Sequence, residues 1–357
     1  MPPSEAISRQ TLRIIDASLN RIGEGLRLLE DLARLSLNDV PLTQQLKTMR
    51  HELIRGDPRL HRQLLESRDP EGDVGVDLEV PGEAKERDLP ATVMANARRV
   101  QESLRALEEL AKVPEVASVL DSEKFKHARF SLYNIEQNLV GRVLRREKTK
   151  RIRGLYLIID TVALEGRSHV EVTRQAIRGG ATAIQLRDKT LSKKELLPIA
   201  QELQKLCAEH EVLFIMNDYL DLALATGADG LHLGQDDLPI EAARKLLPLE
   251  TILGCSVTTL DLALSAESQG ADYIAVGSMY PTPSKETAKV VGLDRLREVR
   301  QRISLPLVAI GGITRDNAAE VKAAGADAVA VISAVLRADS PEEAARQIVN
   351  RFEAEGE

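Results

Sequence analysis

From residue 154 onward, short apolar runs alternate with amphipathic segments. The runs have the length of β-strands and cover residues 154–159, 181–186, 212–216, 230–233, 251–257, 272–277, 306–310 and 328–332. Helical patterns separate them, as after Ser192, which is expected to cap a helix while Glu195 completes a capping box. Eight strands with intervening helices favour a closed parallel (β/α)8 TIM barrel. An open doubly wound sheet would need only about five or six strands.

Upstream, apolar residues recur with the period of a helix, and strand patterns are almost absent. One face of the first long segment carries the apolar residues Ile22, Leu26, Leu29 and Ala33. The predicted division is an all-helical domain at 1–145, a basic linker at 146–153 and the barrel at 154–357. The basic run at 145–153 fits a solvated helix end better than a nucleic-acid site, because it supplies few phosphate contacts.

The helical half contains an internal repeat. Residues 21–34 match residues 99–112 at eight of fourteen positions, 78 positions later. We therefore expect two related helices that pack as a pair. Their equivalent polar residues are Glu24 with Arg27, and Glu102 with Arg105. Such rows of charged residues along a helix could form solvent-exposed salt bridges or a ligand site, and helix geometry alone does not distinguish the two.

Two glycines and a turn-rich segment stand out within this half. Gly23 and Gly25 lie inside the first helix, where each costs about 1 kcal/mol relative to alanine. Such glycines usually mark close approach of a backbone or a ligand. The segment 68–75 is rich in groups that could hold Mg2+ or phosphate, and it fits an ordinary loop equally well.

Composition indicates a globular protein and argues against some classes of partner, but it does not identify a function. The 357 residues are 43% hydrophobic and 29% charged, which is ordinary globular usage and enough for two cores. A net charge of −7 argues against nucleic acid as the main partner. No apolar signal core or membrane-length run occurs, and Cys207 and Cys255 lack metal-ligand spacing. We expect a cytoplasmic enzyme with buried, reduced thiols and no membrane partner.

Polar residues follow one predicted strand after another. Since the carboxyl ends of barrel strands share one rim, these residues should converge there. Gln185, Arg187 and Lys189 alternate and should leave their strand on one side, the two cations towards phosphate and the amide towards a pyrimidine edge. Asp218 and Asp237 suit an acid/base pair or Mg2+, and Mg2+ bridged by phosphate fits the nearby cations better.

Two further features complete the predicted rim. Gly311-Gly312 and Ile332-Ser333 end the last two strands, where this fold commonly binds phosphate. The long loop 280–292 follows the sixth strand and favours a lid. His232 alternates with leucines within its strand and is expected to be a structural residue facing inward.

Together these motifs resemble the thiamine-phosphate synthase family over essentially all of 153–350. The motifs are Gln185-Leu-Arg-Asp-Lys189, Asn217-Asp218, His232 to Leu238, Gly254-Cys-Ser256, Thr282-Pro-Ser-Lys285, Gly311-Gly-Ile313 and Val331-Ile-Ser333. The resemblance implies a transferase that joins 4-amino-2-methyl-5-hydroxymethylpyrimidine diphosphate to 4-methyl-5-hydroxyethylthiazole phosphate, or its carboxylate. The products would be thiamine phosphate and pyrophosphate.

The same resemblance implies roles for individual residues. The pyrimidine diphosphate would be held by Gln185, Arg187, Lys189, Asn217, Ser256 and Lys285, of which Arg187, Lys189, Ser256 and Lys285 would be catalytic. Mg2+ would be held by Asp218 and Asp237. The thiazole phosphate would be held by Thr282, Pro283, Ser284, Gly312, Ile332 and Ser333. No protein nucleophile is required, because cations and Mg2+ would stabilise the charge that grows on the leaving group.

Five short motifs mark the helical half: Asn20-Arg21, Glu24-Gly-Leu-Arg27, Glu30-Asp31, the loop from Arg68 to Gly75, and Arg129 with Tyr133. In these motifs, residues 8–140 resemble a small helical family that is often fused to such synthases. Its implied activity is phosphorylation of hydroxymethylpyrimidine monophosphate, with ATP as the implied partner. The candidate residues are Asn20, Arg21, Glu24, Arg27, Arg68, Asp69, Asp73, Glu102 and Arg105. No Gly-x-x-x-x-Gly-Lys-Ser/Thr phosphate loop is present, so nucleotide would have to be held in another way.

Two rival hypotheses stay open on the sequence. Lys189 could be the Schiff-base lysine of an aldolase, since amines at barrel strand ends do that work. The helical half could be a non-catalytic module for dimerisation or substrate channelling. Neither the oligomeric state nor the preferred form of the thiazole follows from the residues.

Overall fold

The computed structural model describes residues 7–72, 87–282 and 289–354. Four of the predicted site residues lie outside them: Asp73, Pro283, Ser284 and Lys285. The chain divides into two compact units, residues 1–144 and 145–357. No helix in the described part of the chain is long and apolar enough to cross a membrane.

The described part of the first unit is helical. Its helices are α1 (Arg9–Asp31), α2 (Val40–Ile54), α3 (Pro58–Ser67), α4 (Leu89–Leu110) and the greater part of α5 (Ser122–Lys150), whose last residues belong to the second unit. A π-helical turn at Leu32–Ser36 continues α1. Side chains of Ser8, Asp39, Asp57 and Asp88 cap the first four by accepting backbone N–H groups of the first turn. The predicted apolar face of α1 is fully buried, which confirms its orientation towards the core.

The basic run is helical as far as Lys150, where α5 ends. Arg145 is buried there, because its guanidinium pairs with Asp272 at 2.8 Å and donates to the carbonyl of Leu249 at 2.6 Å. Lys148 pairs with Asp229 at 3.0 Å. The expectation of a solvated run is therefore wrong for Arg145, since Asp272 of the same unit compensates its burial.

Helices α1 and α4, which carry the internal repeat, pack against each other as predicted. Gly25 lies at their crossing, where a Cβ atom would overlap Cγ2 of Val100 and lie 3.3 Å from the carbonyl oxygen of Asn96. Gly23 is different, because a Cβ there would meet only the side chain of Ile54, at an ordinary 3.5 Å. The expected close approach of a backbone is therefore found at Gly25.

This contrast gives a paired prediction for folding stability. Gly25→Ala should lower the free energy of unfolding by about 1–3 kcal/mol, because the added methyl group overpacks the crossing. Gly23→Ala should raise it by about 0.5–1 kcal/mol, because alanine favours the helix and fits the space. Urea unfolding of both variants measures the two effects. Equal changes in the two variants would contradict the assigned crossing.

The second unit is a closed parallel barrel with strands in sequential order, which confirms the predicted fold. The strands are β1 (Gly154–Asp160), β2 (Ala181–Arg187), β3 (Leu213–Asn217), β4 (Gly230–Leu233), β5 (Ile252–Val257), β6 (Tyr273–Gly277), β7 (Leu307–Ile310) and β8 (Ala328–Val331). The helices are α6 (His169–Arg178), α7 (Lys193–Glu209), α8 (Leu220–Thr226), α9 (Ile240–Leu246), α10 (Leu260–Ser268), α11 (Gly292–Arg300), α12 (Ala318–Ala323), α13 (Ser333–Leu336) and α14 (Pro341–Glu353). The predicted capping box of Ser192 and Glu195 begins α7.

Alternate strand residues divide the barrel into two apolar layers. One set packs under the surrounding helices, and the other fills the barrel interior with residues such as Tyr156, Ile158, Ile215 and Tyr273. Gly254 on β5 leaves room for the ring of Tyr273, because a Cβ there would overlap it. The interior is thus filled by side chains, so a ligand could bind only at a rim.

Candidate active site

The carboxyl ends of β1 to β3 bring predicted charged residues together. Arg187, the last residue of β2, is ion-paired with Asp160, the last residue of β1. Lys189, two residues further along, is ion-paired with Asp218, which follows β3. Asp237 lies close enough to Asp218 to raise the pKa of its carboxyl group. Five charged side chains from four strand ends therefore share one part of the rim.

The backbone at Asp218 is unusual. Its φ angle of 58° lies in the left-handed region, which non-glycine residues seldom adopt and which costs free energy. Its N–H donates to the carbonyl oxygen of His232 on the neighbouring strand at 2.9 Å. Asp237 is fixed by the N–H of Gly234, which donates to its carboxylate at 2.7 Å. The backbone of Asp218 and the carboxylate of Asp237 are thus each held in place by a backbone hydrogen bond.

Electrostatics at this pair favour a bound cation. Burial raises the pKa of Asp218, and Asp237 raises it further, although the hydrogen bond from Lys189 acts in the opposite direction. The hydrogen bond that Lys189 donates to Asp218 in turn raises the pKa of Lys189. A Schiff-base lysine needs a lowered pKa, so this environment opposes the aldolase hypothesis. Two adjacent carboxylates repel each other unless a cation or a proton lies between them.

The donor set at Asp218 and Asp237 fits Mg2+. Carboxylate oxygens are its preferred protein ligands, and it commonly uses one or two of them together with water and substrate phosphate. Within residues 7–72, 87–282 and 289–354, no three His, Cys, Asp or Glu side chains converge as a metal site. A cation here would therefore need oxygen atoms from a phosphorylated ligand or from water.

A chain of hydrogen bonds runs beneath the charged rim through the barrel interior. Nε2 of Gln185 donates to the hydroxyl of Tyr156 at 2.9 Å, and that hydroxyl lies 2.9 Å from the hydroxyl of Tyr273. Nδ1 of His232 lies 3.0 Å from the Tyr273 hydroxyl, and its Nε2 lies 2.8 Å from Oγ of Ser256. Gln185 and Ser256, both predicted site residues, are thus joined through three buried aromatic side chains.

Burial dominates the chemistry of this chain. It lowers the pKa of His232 to about 4 and raises the pKa of both tyrosines above the ordinary value. The imidazole is therefore neutral near pH 7, and the tyrosines keep their protons. His232 faces inward, as expected from its alternation with leucines.

The glycines after β7 allow two loops to touch. Gly311 and Gly312 have φ angles of 103° and 66°, and a Cβ on either would overlap atoms of the segment 278–281. The N–H of Tyr280 donates to the carbonyl oxygen of Gly311 at 3.0 Å. Asn317 adds a hydrogen bond to the carbonyl oxygen of Gly312 at 3.0 Å. The β6 and β7 loops are therefore packed together at this rim.

The remaining predicted residues of the barrel lie at the same end. Asn217 is buried as the last residue of β3, and Thr282 is half-buried after β6. Ile332 and Ser333 follow β8 and are half-buried at the start of α13. Because β8 neighbours β7 and β1 in the closed barrel, these two residues lie beside the Gly311-Gly312 turn.

In the helical unit, one predicted cluster forms around Asp16. Arg68 donates to both of its carboxylate oxygens, at 2.7 and 2.9 Å, and the side chain of Asn20 lies 3.3 Å from it. Asp69 is joined to α1 through Arg13, whose guanidinium donates to its carbonyl oxygen at 3.0 Å. The loop at 68–69 is thereby held against α1, while Arg21 and Glu24 are exposed.

The repeated arginines lie on two matching ion-pair clusters. Arg27 lies 3.6 Å from buried Glu30, which also pairs with Arg50 at 2.9 Å. In the second copy, Arg105 lies 2.6 Å from buried Glu108, which pairs with Arg129 at 2.9 Å. Glu102 pairs instead with Arg98 at 3.2 Å. Each copy thus has one half-exposed arginine and one largely buried arginine on a common carboxylate.

Several of these residues were missed on the sequence. Asp160 ends β1 just as Asp218 follows β3, so the strand-end rule would have found it. Tyr156 and Tyr273 occupy inward positions of predicted strands. A hydroxyl in an apolar interior needs a hydrogen-bond partner, so both residues could have been predicted to form buried hydrogen bonds. The partnership of Glu30 with Arg50 joins two helices and could not be inferred from the spacing within one helix.

A cavity of about 860 Å³ lies at the other end of the barrel. Residues that precede the strands line it, including Arg153, Gly180, Val212 and Asp229. A second cavity, of about 410 Å³, lies in the helical unit between the end of α2, α3 and the start of α5. The chemistry of such barrels takes place at the carboxyl ends of the strands. The candidate site is therefore the charged rim, and neither cavity lies there.

Comparison with known proteins decides the family. Residues 155–335 match the model of the thiamine monophosphate synthase family, and residues 13–138 match the ThiD2 family. The thiamine-phosphate synthase of Nostoc sp. is 38% identical over 94% of this chain and 92% of its own. The chain belongs to the thiamine monophosphate synthase family.

Other members of the synthase family match the barrel alone. The thiamine-phosphate synthase of Methanospirillum hungatei is 52% identical over 51% of this chain and 89% of its own. The solved structure of thiamine phosphate pyrophosphorylase from Pyrococcus furiosus is 42% identical, with a TM-score of 0.53 over 57% of this chain and 97% of its own. Full-length relatives, such as that of Nostoc sp., therefore share both units, and shorter relatives share the barrel.

Proposed function

We propose that the barrel condenses hydroxymethylpyrimidine diphosphate with hydroxyethylthiazole phosphate to give thiamine phosphate and pyrophosphate. In this reaction the bond between the pyrimidine methylene and the diphosphate breaks, and its electron pair leaves with pyrophosphate. The thiazole nitrogen then forms the new bond to the methylene. The observation that carries the proposal is the charged rim formed by Arg187, Lys189, Asp218 and Asp237 in a member of this family.

The cations of the rim have a direct part in this chemistry. Arg187 suits two oxygens of a phosphate through its planar guanidinium, and Lys189 provides a compact charge beside it. Both are paired with carboxylates, Asp160 and Asp218. We infer that binding of the diphosphate draws the two cations from these partners onto the leaving group. Electrostatic stabilisation of developing charge commonly contributes more to such catalysis than any other effect.

Mg2+ at Asp218 and Asp237 would add positive charge to the same leaving group. Arg187 and Lys189 are outnumbered by three carboxylates in this part of the rim, so a diphosphate would meet net negative charge without a divalent cation. Lys285 would supply another cation, and it lies outside the described residues. We expect the purified chain to form thiamine phosphate from both substrates with Mg2+ and to lose this activity in excess EDTA. Product analysis by chromatography tests this directly.

The thiazole phosphate is proposed to lie at Gly312, Ile332 and Ser333, with Thr282, Pro283 and Ser284 from the β6 loop. Two observations support this site: the β6 loop packs closely against the backbone of the Gly311-Gly312 turn, and Ser333 begins a short helix after the neighbouring strand β8. Backbone N–H groups in such positions favour anions.

Replacement of Ser333 tests this subsite. Ser333→Ala should raise the Michaelis constant for the thiazole phosphate roughly ten- to a hundredfold, because a hydrogen bond to a charged oxygen is worth about 1.5–3 kcal/mol. The constant for the pyrimidine diphosphate should stay unchanged. Ser304→Ala, at an exposed serine before β7, is the matched control. A raised constant for the pyrimidine diphosphate instead would mean that the two subsites are exchanged.

We also propose that the helical unit phosphorylates hydroxymethylpyrimidine monophosphate with ATP. The match to the ThiD2 family and the duplicated arginine clusters support this assignment. The full-length chain incubated with ATP, Mg2+ and the pyrimidine monophosphate should form the diphosphate. If no diphosphate forms, the helical unit is better described as a dimerisation or channelling module. A cytoplasmic location stays a prediction.

A further inference from the structure

The internal repeat of the helical unit extends beyond α1 and α4 into the helices that follow them. The pattern Lys-x-x-Arg-x-x-Leu occurs at 47–53 on α2 and again at 126–132 on α5, an offset of 79 positions. Both arginines of this pattern pair with the buried glutamate of the preceding repeat helix. The helical unit therefore contains two related helix pairs, α1 with α2 and α4 with α5.

The two copies differ in the side chains next to the arginine. The second copy has Phe130 and Tyr133, and the same register places His51 and Ile54 in the first. The chain has four Phe and five Tyr, all among the described residues, and Phe130 and Tyr133 are the only exposed ones, at 54% and 41%. Their rings meet edge to face, with centroids 5.7 Å apart. The exposed aromatic surface of the protein is thus concentrated at one place.

Arg129 joins these rings to the ion-pair cluster. Its guanidinium lies 4.9 Å from the centre of the Phe130 ring and donates to the hydroxyl of Tyr133 at 3.0 Å. It also donates to one carboxylate oxygen of Glu108 at 2.9 Å, and Arg105 donates to the other at 2.6 Å. Each of the five side chains contacts another directly, so the rings and the half-exposed Arg105 form one continuous surface, the aromatic patch.

The aromatic patch has the chemistry to bind a phosphorylated planar ring. Exposed aromatic side chains stack against heterocycles, and arginine binds phosphate oxygens. Arg105 also pairs with Glu109 at 2.7 Å, but both side chains are about half-exposed, so this pair is weak and a phosphate can compete with it. Phosphate lies one methylene from the ring in hydroxymethylpyrimidine monophosphate, whereas ribose separates the two in ATP. A patch whose cations lie directly against its rings matches the shorter separation.

We propose that the aromatic patch binds hydroxymethylpyrimidine monophosphate, with Phe130 and Tyr133 against the pyrimidine ring and Arg105 on the phosphate. The first copy keeps the cations and has no exposed Phe or Tyr ring, so it would bind phosphate groups alone. The two copies of the repeat would then differ in function, although their ion pairs are alike. The inference rests on the proposed kinase function, because it takes the acceptor of that reaction as the ligand.

Phe130→Ala tests the stacking, and calorimetric titration of the full-length chain with the pyrimidine monophosphate, without ATP, measures it. Kd should rise about ten- to a hundredfold, as expected for the loss of one ring that stacks on a heterocycle. KM for the monophosphate in the kinase assay should rise with it, and KM for ATP should stay unchanged. Phe130→Tyr keeps the ring and should bind as the unaltered chain does. His51→Ala, at the equivalent position of the first copy, is the matched control and should change neither constant.

Several results would overturn the proposal. They are an unchanged Kd in Phe130→Ala, an equal rise in His51→Ala, and a raised KM for ATP alone. Loss of self-association in Phe130→Ala with unchanged pyrimidine binding would make the patch a contact between two copies of the chain instead. If Phe130→Ala does not fold, Tyr133→Ala removes the second exposed ring and decides.

Failure of the proposed kinase function would look different. An unaltered chain that binds the monophosphate through Phe130 and does not phosphorylate it would refute the kinase activity and leave the binding site intact. Phosphorylation with an unchanged KM in Phe130→Ala would support the kinase and refute the site. Because the titration needs no ATP, the two failures are distinguishable.

Discussion

Asp218→Asn should reduce the coupling rate of the barrel by at least about a thousandfold while the chain stays folded. The carboxylate contributes charge to a cation that would stabilise the departing pyrophosphate, and such stabilisation is worth several kcal/mol in the transition state. The loss should appear in kcat with both substrates saturating. Steady-state assays across a range of Mg2+ concentrations measure it, and circular dichroism checks the fold.

Asp236→Asn is the matched control, because Asp236 is exposed and adjacent in sequence to Asp237. It should leave the rate and the Mg2+ dependence unchanged. Asp237→Asn should resemble Asp218→Asn if both carboxylates hold the cation. A near-native rate for Asp218→Asn at limiting Mg2+ would show that the metal assignment is wrong.

Arg27→Ala and Arg105→Ala should each lower phosphorylation of the pyrimidine monophosphate by at least about a hundredfold. A hydrogen bond from a charged group is worth up to about 3 kcal/mol, and both arginines are half-exposed, at 51% and 53% of the side chain. Their loss should cost less than about 1 kcal/mol of stability, because the buried carboxylates of Glu30 and Glu108 keep their ion pairs with Arg50 and Arg129. The assay uses chains that also carry Asp218→Asn. Their barrel cannot consume the diphosphate, which therefore accumulates and can be measured.

The partner arginines of the same clusters separate a functional role from a structural one. Arg129 is largely buried against Glu108, so Arg129→Ala should lower the free energy of unfolding by about 3 kcal/mol or more by leaving a buried carboxylate short of charge. Coupling of supplied diphosphate by the barrel should be unaffected in Arg27→Ala and Arg105→Ala chains with native Asp218. Full kinase activity in both variants would make the repeated arginines simple salt bridges.

The strands and the position of the rim were predictable because they depend on local patterns. Apolar runs of strand length and amphipathic intervals alternate eight times, and that alternation admits few architectures. The residues that follow each run could then be assigned to one end of the barrel. The same strand-end reasoning, applied more evenly, would have included Asp160 with Arg187.

The partners of those residues were not predictable, because they come from different elements. Arg145 belongs to a basic run, and only the fold brings Asp272 to it. Glu30 and Arg50 are 20 positions apart on two helices. The internal repeat located both arginine stripes, yet it did not show that each stripe shares a buried carboxylate with a second helix.

For this protein, residue patterns alone establish the two-part organisation, the parallel barrel and the family, since each follows from periodicity or from motifs at strand ends. Only the tertiary structure decides that Gln185 and Ser256 are joined through Tyr156, Tyr273 and His232. The physical reason is that barrel closure packs inward side chains of non-adjacent strands against one another. Which of these side chains form hydrogen bonds with one another therefore depends on the closed barrel, and no local pattern in the sequence predicts it.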